Sequence, residues 1–181
     1  MDHLQALFEE NDSVATASIY CNYKEQVEHT VSILVASLLR QMVQDRRAIS
    51  DGIKSFYQHH QRRGARPTLD QLKNILVSEI QTYSKVFIVV DALDECREDD
   101  ETRAMLLEVL RSLPGQVNLM VTSRDLPSIA RDFEGTKRLH IRAKDDDIKI
   151  YIQGRIASGR RHLKKLQEVI VNRVVENAKG M

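Results

Sequence analysis

An uninterrupted apolar run that ends in carboxylates places the strongest constraint on how this chain can fold. Residues 86–90 are Val-Phe-Ile-Val-Val, Asp91 follows them, and Asp94 and Glu95 come three and four positions later. A continuous β-branched and aromatic run, as opposed to an alternating one, is typical of a parallel strand that is buried on both faces. Open α/β sheets bind their ligands beyond the carboxyl ends of such strands. The sequence therefore predicts an α/β fold with Asp91 at the ligand-binding edge of a parallel sheet.

Other apolar segments alternate with amphipathic patterns along the chain. We expect strands over residues 14–21, 117–122 and 138–143 in addition to 86–91. Apolar residues at helical spacing predict helices between and after these strands. Their expected ranges are 27–42, 49–60, 68–83, 105–113, 127–133 and 145–178, the last range being interrupted near residue 160, and residues 3–10 are typical of the last turns of a further helix. Strands that alternate with helices in this way indicate a parallel α/β sheet.

Two helix starts carry a local signal. Thr68 and Gln71 have the spacing of a capping box, in which each side chain satisfies a backbone N–H of the other residue. Asp145 is expected to cap the helix that follows the 138–143 strand.

Composition sets the remaining limits. The chain of 181 residues carries 27 basic and 26 acidic side chains, so its overall charge favours neither nucleic acid nor a membrane surface as a partner. We expect one domain over residues 1–181. Cys21 and Cys96 have no partner spacing, which predicts neither a disulfide framework nor a zinc site and favours a reducing, cytoplasmic location. No apolar run approaches the length of a membrane span.

The acidic residues after the 86–90 run fit a Walker B element. In such a site the first carboxylate, here Asp91, holds Mg²⁺ through its water shell, and the later acids, here Asp94 and Glu95, orient or deprotonate the attacking water. Thr122-Ser123-Arg124 follows the next predicted strand, so it is expected beside Asp91, where Arg124 could meet a terminal phosphate.

A phosphate-binding P-loop is absent from the sequence. Such a loop needs G-x-x-x-x-G-K-[ST], because its backbone N–H groups and lysine grip the phosphates. Gly52 and Lys54 are not adjacent, and Gly135-Thr136-Lys137 has the wrong order, so both are interpreted as ordinary turn or helix positions.

The segments FIVVDALDEC, LMVTSR and IRAKDDDIKIYIQGRI together resemble the NACHT domain of signal-transducing NTPases. The likeness is greatest to the nephrocystin-like regions joined to ankyrin or WD repeats in filamentous fungi. The resemblance implies a P-loop NTPase-like three-layer fold, Mg²⁺ with ATP or GTP as cofactors, and a switch that oligomerises or docks other protein domains. It assigns the metal to Asp91, hydrolysis to Asp94 and Glu95, and a nucleotide-facing sensor position to Arg124 with Thr122 and Ser123.

The resemblance also implies that the P-loop strand lies between the 117–122 strand and the 138–143 strand. We expect a partial domain whose sheet is open at that place, so that the two exposed edges close on each other, borrow a strand from a partner, or leave the chain unstable alone. Hydrolysis by this chain alone is not expected.

Two alternatives stay open beside the NTPase reading. One is a non-catalytic module that binds other proteins. The other is a nucleic-acid binder that uses the basic clusters at 62–66 and 160–165, although only 5% of the chain is aromatic and neither cluster is interleaved with aromatic residues. Cys96 is interpreted as a packing residue, since neighbouring carboxylates raise a thiol pKa.

Overall fold

The computed structural model describes residues 6–8, 11–23, 30–44, 46, 49–96, 101–158 and 166–178. Its strands are β1 (Val14–Tyr20), β2 (Lys85–Asp91) and β3 (Val117–Val121). Its helices are α1 (Val31–Gln44), α2 (Asp51–Arg63), α3 (Leu69–Ile80), α4 (Thr102–Arg111), α5 (Pro127–Asp132), α6 (Asp145–Ala157) and α7 (Gln167–Ala178). A short 3₁₀ turn, Leu93–Glu95, follows β2. The described strands begin and end within one residue of their predicted bounds.

The three strands form a parallel sheet in the order β1-β2-β3. Tyr20 lies opposite Asp91 at one end of the β1–β2 ladder, and Val90 lies opposite Val121 in the β2–β3 ladder. The run that predicted a buried strand therefore occupies the centre of the sheet, where Val86, Ile88 and Val90 are fully buried. The predicted α/β class with a parallel sheet is confirmed.

The two edges of this sheet differ. On β1, Gln41 of α1 accepts a hydrogen bond from the Ser18 amide and donates one to the Ser18 carbonyl, both at 2.8 Å. The side chain thus substitutes for a neighbouring strand and blunts this edge. On β3, Leu119 and Met120 are 38% and 58% exposed. Strand β3, at the other side of the sheet, therefore exposes two apolar side chains.

The main core packs α1, α3 and α4 against the sheet. Its fully buried side chains include Leu38 of α1, Leu76 of α3 and Leu106 of α4. Helix α3 begins with the predicted capping box: Thr68 accepts from the Gln71 amide at 3.3 Å, and Gln71 accepts from the Thr68 amide at 2.9 Å. At the end of α2, Gly64 adopts φ 59°, the left-handed conformation that glycine allows at a helix terminus.

A buried ion pair joins α3 to the chain between α1 and α2. Glu79, with a side chain that is 2% exposed, accepts hydrogen bonds of 2.8 Å from Arg46 and from Ser50. The Arg46 guanidinium also lies 4.1 Å from the ring centre of Tyr83, whose hydroxyl donates to the Met42 carbonyl. The carboxylate is therefore buried with two hydrogen-bond donors, as a charge in a protein interior requires.

The contacts divide the chain into two compact units, residues 1–134 and 135–181, where the sequence predicted one. The sheet and its helices belong to the first unit. The second unit contains α6 and α7, which pack together through Ile152, Ile156 and Val171.

The predicted strand over 138–143 is wrong. These residues are irregular and exposed, and Leu139 and Ile141 are each 84% exposed. A strand is stable only when a neighbour completes its ladder and covers one of its faces, and in the described part of the chain these residues have no strand partner. The alternating apolar pattern was therefore necessary for a strand but not sufficient.

The predicted cap of α6 also needs correction. Lys144 is the N-cap residue and makes no side-chain capping bond, whereas Asp145, Asp146 and Asp147 occupy the first turn. Negative charges in that turn favour the helix through its dipole, so the aspartates stabilise α6 from inside the helix and not as a cap. The predicted helical residues 3–5, 9–10, 27–29 and 159–165, which include the basic cluster at 160–165, lie outside the described residues. Residues 6–8 are helical.

Candidate functional site

The carboxyl ends of β2 and β3 remain joined beyond the strands themselves. The Thr122 amide donates to the Val90 carbonyl at 2.9 Å, and the Leu93 amide donates to the Thr122 carbonyl at 2.9 Å. The backbone after β3 is thus fixed against the turn after β2. This places the predicted triplet of residues 122–124 beside the predicted acidic residues.

Asp91 and Thr122 are direct neighbours at this edge. The Thr122 hydroxyl donates to Asp91 Oδ1 and accepts a 2.9 Å hydrogen bond from the Ala92 amide. Ala92 has φ 56°, a left-handed conformation that is unusual for a residue with a side chain. This conformation turns the chain from β2 into the 3₁₀ turn, and strained residues of this kind are concentrated at functional sites.

Asp94 is held by Arg124. The Arg124 amide donates to Asp94 Oδ1 at 3.0 Å, and Arg124 Nε donates to Asp94 Oδ2 at 2.5 Å. The Asp94 side chain is only 5% exposed, whereas that of Arg124 is 76% exposed. Burial acts to raise the pKa of Asp94, but the two hydrogen bonds and the charge of Arg124 outweigh it and hold this pKa below its usual value. The same contact with Asp94 raises the pKa of Arg124.

The remaining predicted residues also contact protein groups. Glu95 Oε2 accepts a 3.2 Å hydrogen bond from the Tyr23 amide, in the segment that follows β1. The Ser123 hydroxyl donates to the carbonyl of Arg124 at 2.7 Å. All six predicted site residues therefore lie at the carboxyl ends of the strands or in the segments that follow them. These residues are Asp91, Asp94, Glu95, Thr122, Ser123 and Arg124.

The sequence did not predict that the two cysteines would meet. The Cys21 amide donates to the Asp91 carbonyl at 3.0 Å, and the Cys21 side chain is hydrogen-bonded to that of Cys96, just after the 3₁₀ turn. Both residues are buried. This hydrogen bond, followed by burial and by the negative charges of Asp91 and Asp94, raises the pKa of Cys21. The signal was the parallel pairing of β1 with β2, which brings the residues after both strands together.

The described residues at the carboxyl ends of the strands do not form a complete metal-binding site. Among the residues that the structure describes, no three histidine, cysteine, aspartate or glutamate side chains are grouped to hold a metal ion. Mg²⁺, however, keeps several waters and is commonly held by one or two carboxylates together with substrate phosphates. Asp91, half-buried and already oriented by Thr122, fits that limited role. None of the described helices combines the length and apolar composition needed to cross a bilayer.

The fold defines an α/β domain with a three-stranded parallel sheet and an acidic turn after its central strand. A family model described as Nephrocystin 3, N-terminal matches residues 1–124. Since the match covers more than half of the chain, the protein belongs to this family. No curated protein and no solved structure matches the chain significantly.

Proposed function

We propose that this chain is part of a nucleotide-dependent signalling switch of the NACHT type. The observation that supports the proposal best is the convergence of Asp91, Asp94, Thr122 and Arg124 on one sheet edge, since Asp94 and Arg124 come from different strand ends. Membership of the nephrocystin N-terminal family, which suggests a signalling or interaction module, agrees with it.

In this proposal Asp91 supplies the carboxylate that holds Mg²⁺, and Thr122 orients that carboxylate. When bound, Mg²⁺ neutralises negative charge on the nucleotide phosphates. Asp94 and Glu95 are the candidate bases that orient or deprotonate water, while Arg124 contacts a terminal phosphate and Ser123 offers a further hydroxyl. Arg124 binds Asp94 through Nε, and its guanidinium, which is 76% exposed, has further N–H donors that can contact a phosphate.

Turnover by this chain is not part of the proposal. The sequence contains no G-x-x-x-x-G-K-[ST] loop, and the backbone N–H groups and lysine of such a loop supply most contacts to the phosphates. Binding of ATP or GTP by this chain is therefore expected to be weak and to require Mg²⁺.

The experiment is equilibrium binding of a fluorescent ATP analogue, measured by anisotropy with and without Mg²⁺. Asp91→Asn is expected to weaken Mg²⁺-dependent binding roughly tenfold or more, because the amide carries no charge for the metal or its waters. Asp70→Asn is the matched control, since Asp70 is an exposed aspartate on α3 outside the site. Equal Mg²⁺-dependent binding by the Asp91→Asn and wild-type chains would show that Asp91 does not hold the metal.

A second candidate function is a non-catalytic module that docks other protein domains or further copies of the chain. The observation that favours it is that Asp91, Asp94 and Glu95 each accept a hydrogen bond from another protein group. In a non-catalytic module these carboxylates have a structural role, since their hydrogen bonds stabilise the turns that follow the strands. Absence of any nucleotide binding by a wild-type chain with normal circular dichroism would select this function over the first.

A further inference from the structure

The buried thiols of Cys21 and Cys96 lie at a junction between two segments. Cys21 directly follows β1, and its amide donates a 3.0 Å hydrogen bond to the Asp91 carbonyl. Cys96 directly follows the 3₁₀ turn, and its amide donates to the Leu93 carbonyl at 3.1 Å. The 3.2 Å hydrogen bond from the Tyr23 amide to Glu95 joins the same two segments a second time. Both backbones are therefore held while the side chains contact each other.

We propose that Cys21 and Cys96 are a reversible redox site, which a hydroperoxide converts from two thiols to an intramolecular disulfide. This modification does not depend on nucleotide binding. The hydrogen bonds from Cys21 to Asp91 and from Tyr23 to Glu95 bring the two segments together, and both cysteines are buried at this junction. Because the chain contains two cysteines in all, any disulfide within it must join these two residues.

The reaction balances with hydrogen peroxide as the oxidant. One thiol releases its proton, and the thiolate attacks a peroxide oxygen. The O–O bond breaks, a sulfenic acid forms, and the hydroxide that leaves takes up the released proton to become water. The other sulfur then attacks the sulfenic sulfur, the S–O bond breaks, and a second water leaves with the remaining proton. The two thiols lose two electrons and two protons in total, and a dithiol reductant reverses the change by thiol–disulfide exchange.

The surroundings favour the protonated thiol of Cys21. The hydrogen bond with Cys96, burial, and the charges of Asp91 and Asp94 together raise the pKa of Cys21, so little of its thiolate exists at neutral pH. Because both cysteines are buried, a slow reaction is expected, which separates this pair from a fast peroxide sensor.

Formation of the disulfide would attach the end of β1 to the turn that carries Asp94 and Glu95. A covalent bond between segments so distant in sequence removes much conformational freedom from the unfolded chain. The oxidised chain is therefore expected to melt at a higher temperature than the reduced chain. A reductant should return the melting temperature to its starting value.

The test uses the full reduced chain, treated with hydrogen peroxide under native conditions. Remaining thiols are then alkylated in denaturant, and intact mass and a non-reducing tryptic digest are recorded. The expected result is a monomer that has lost two hydrogens, takes up no alkylating reagent, and yields one linked pair of peptides containing Cys21 and Cys96. The yield should fall to zero in Cys21→Ser and Cys96→Ser, and the wild-type peptide map decides the result even if either variant fails to fold.

Three results would overturn the proposal. The first is that both cysteines remain alkylatable after treatment. The second is that oxidation produces only sulfinic acid or disulfide-linked dimers. The third is that the linked peptides form in urea but not in the native chain, which would show that the fold keeps the sulfurs apart.

Discussion

Asp94 and Arg124 are thirty positions apart in sequence, yet the backbone and the side chain of Arg124 both donate to the same carboxylate. The contact links the turn after β2 to the segment after β3. In this ion pair the Asp94 side chain is buried and the Arg124 side chain is exposed. The relationship has direct consequences for stability and its dependence on pH.

Replacement of Arg124 by alanine is expected to lower stability at neutral pH. Asp94 would lose its guanidinium partner while staying buried. Because the folded-state pKa of Asp94 lies below its ordinary value of 3.8, the unfolded chain binds the proton first as the pH falls. The stability from this pair is therefore present above that value and lost as the pH falls through the folded-state pKa. Urea unfolding from pH 7 to pH 3 should show the wild-type and Arg124→Ala chains converging at acid pH. Arg62→Ala, an exposed change on α2, should show no such convergence.

Replacement of Thr68 by alanine should destabilise the chain by about 1 kcal/mol, because the capping box at the start of α3 would lose its hydroxyl acceptor. Thr68→Ser keeps the hydroxyl and should retain most of the stability. Urea unfolding followed by circular dichroism measures both changes. Equal losses in the two variants would assign the effect to the methyl group and not to the cap.

The irregular, exposed structure of residues 138–143 can be tested by making the same substitution, leucine to alanine, in the core and in this segment. Leu76→Ala removes a fully buried side chain of α3 and should cost about 3 kcal/mol. Leu139→Ala removes a side chain that is 84% exposed and should change the free energy of unfolding by less than about 0.5 kcal/mol. A large loss at Leu139 would instead indicate that this segment is a packed strand.

Removal of Arg46 should be more damaging than replacement of the whole buried ion pair. Arg46→Ala leaves the buried Glu79 carboxylate with Ser50 as its donor and should cost about 3 kcal/mol. Arg46→Met combined with Glu79→Met removes both charges and should be less destabilising than Arg46→Ala. The free energies of unfolding in urea provide the comparison. A double variant that is less stable than the single variant would show that the pair itself contributes net stability.

Local signals predicted the parts of this fold that depend on local physics. The run at 86–90 identified the central strand, although only one of its faces is fully buried. Phe87 and Val89, on the other face, are half-buried. The spacing of Thr68 and Gln71 identified the start of α3 because a capping box is formed within four residues. The same pattern-based reasoning failed at 138–143, where a strand needs a neighbour that its own sequence does not specify.

The candidate site was predictable by position but not by contact. Parallel pairing was sufficient to place Asp91 and residues 122–124 at one edge. It did not reveal that Arg124 would bind Asp94 with both its backbone and its side chain, because such contacts are set by the conformation of the segments after the strands. The meeting of Cys21 and Cys96 depends on strand register, which neither cysteine's neighbours in sequence encode.

The acidic turn grows out of β2, the strand with a hydrogen-bonded neighbour on each side. Sliding that strand would break two ladders at once, so its end behaves as a fixed anchor. A response to a ligand at the carboxyl ends of the strands is therefore expected in the contacts between the connecting segments, such as Arg124 with Asp94, and not in the strand itself. The candidate switch would then consist of the segments after β2 and β3, and the sheet would serve only to position them.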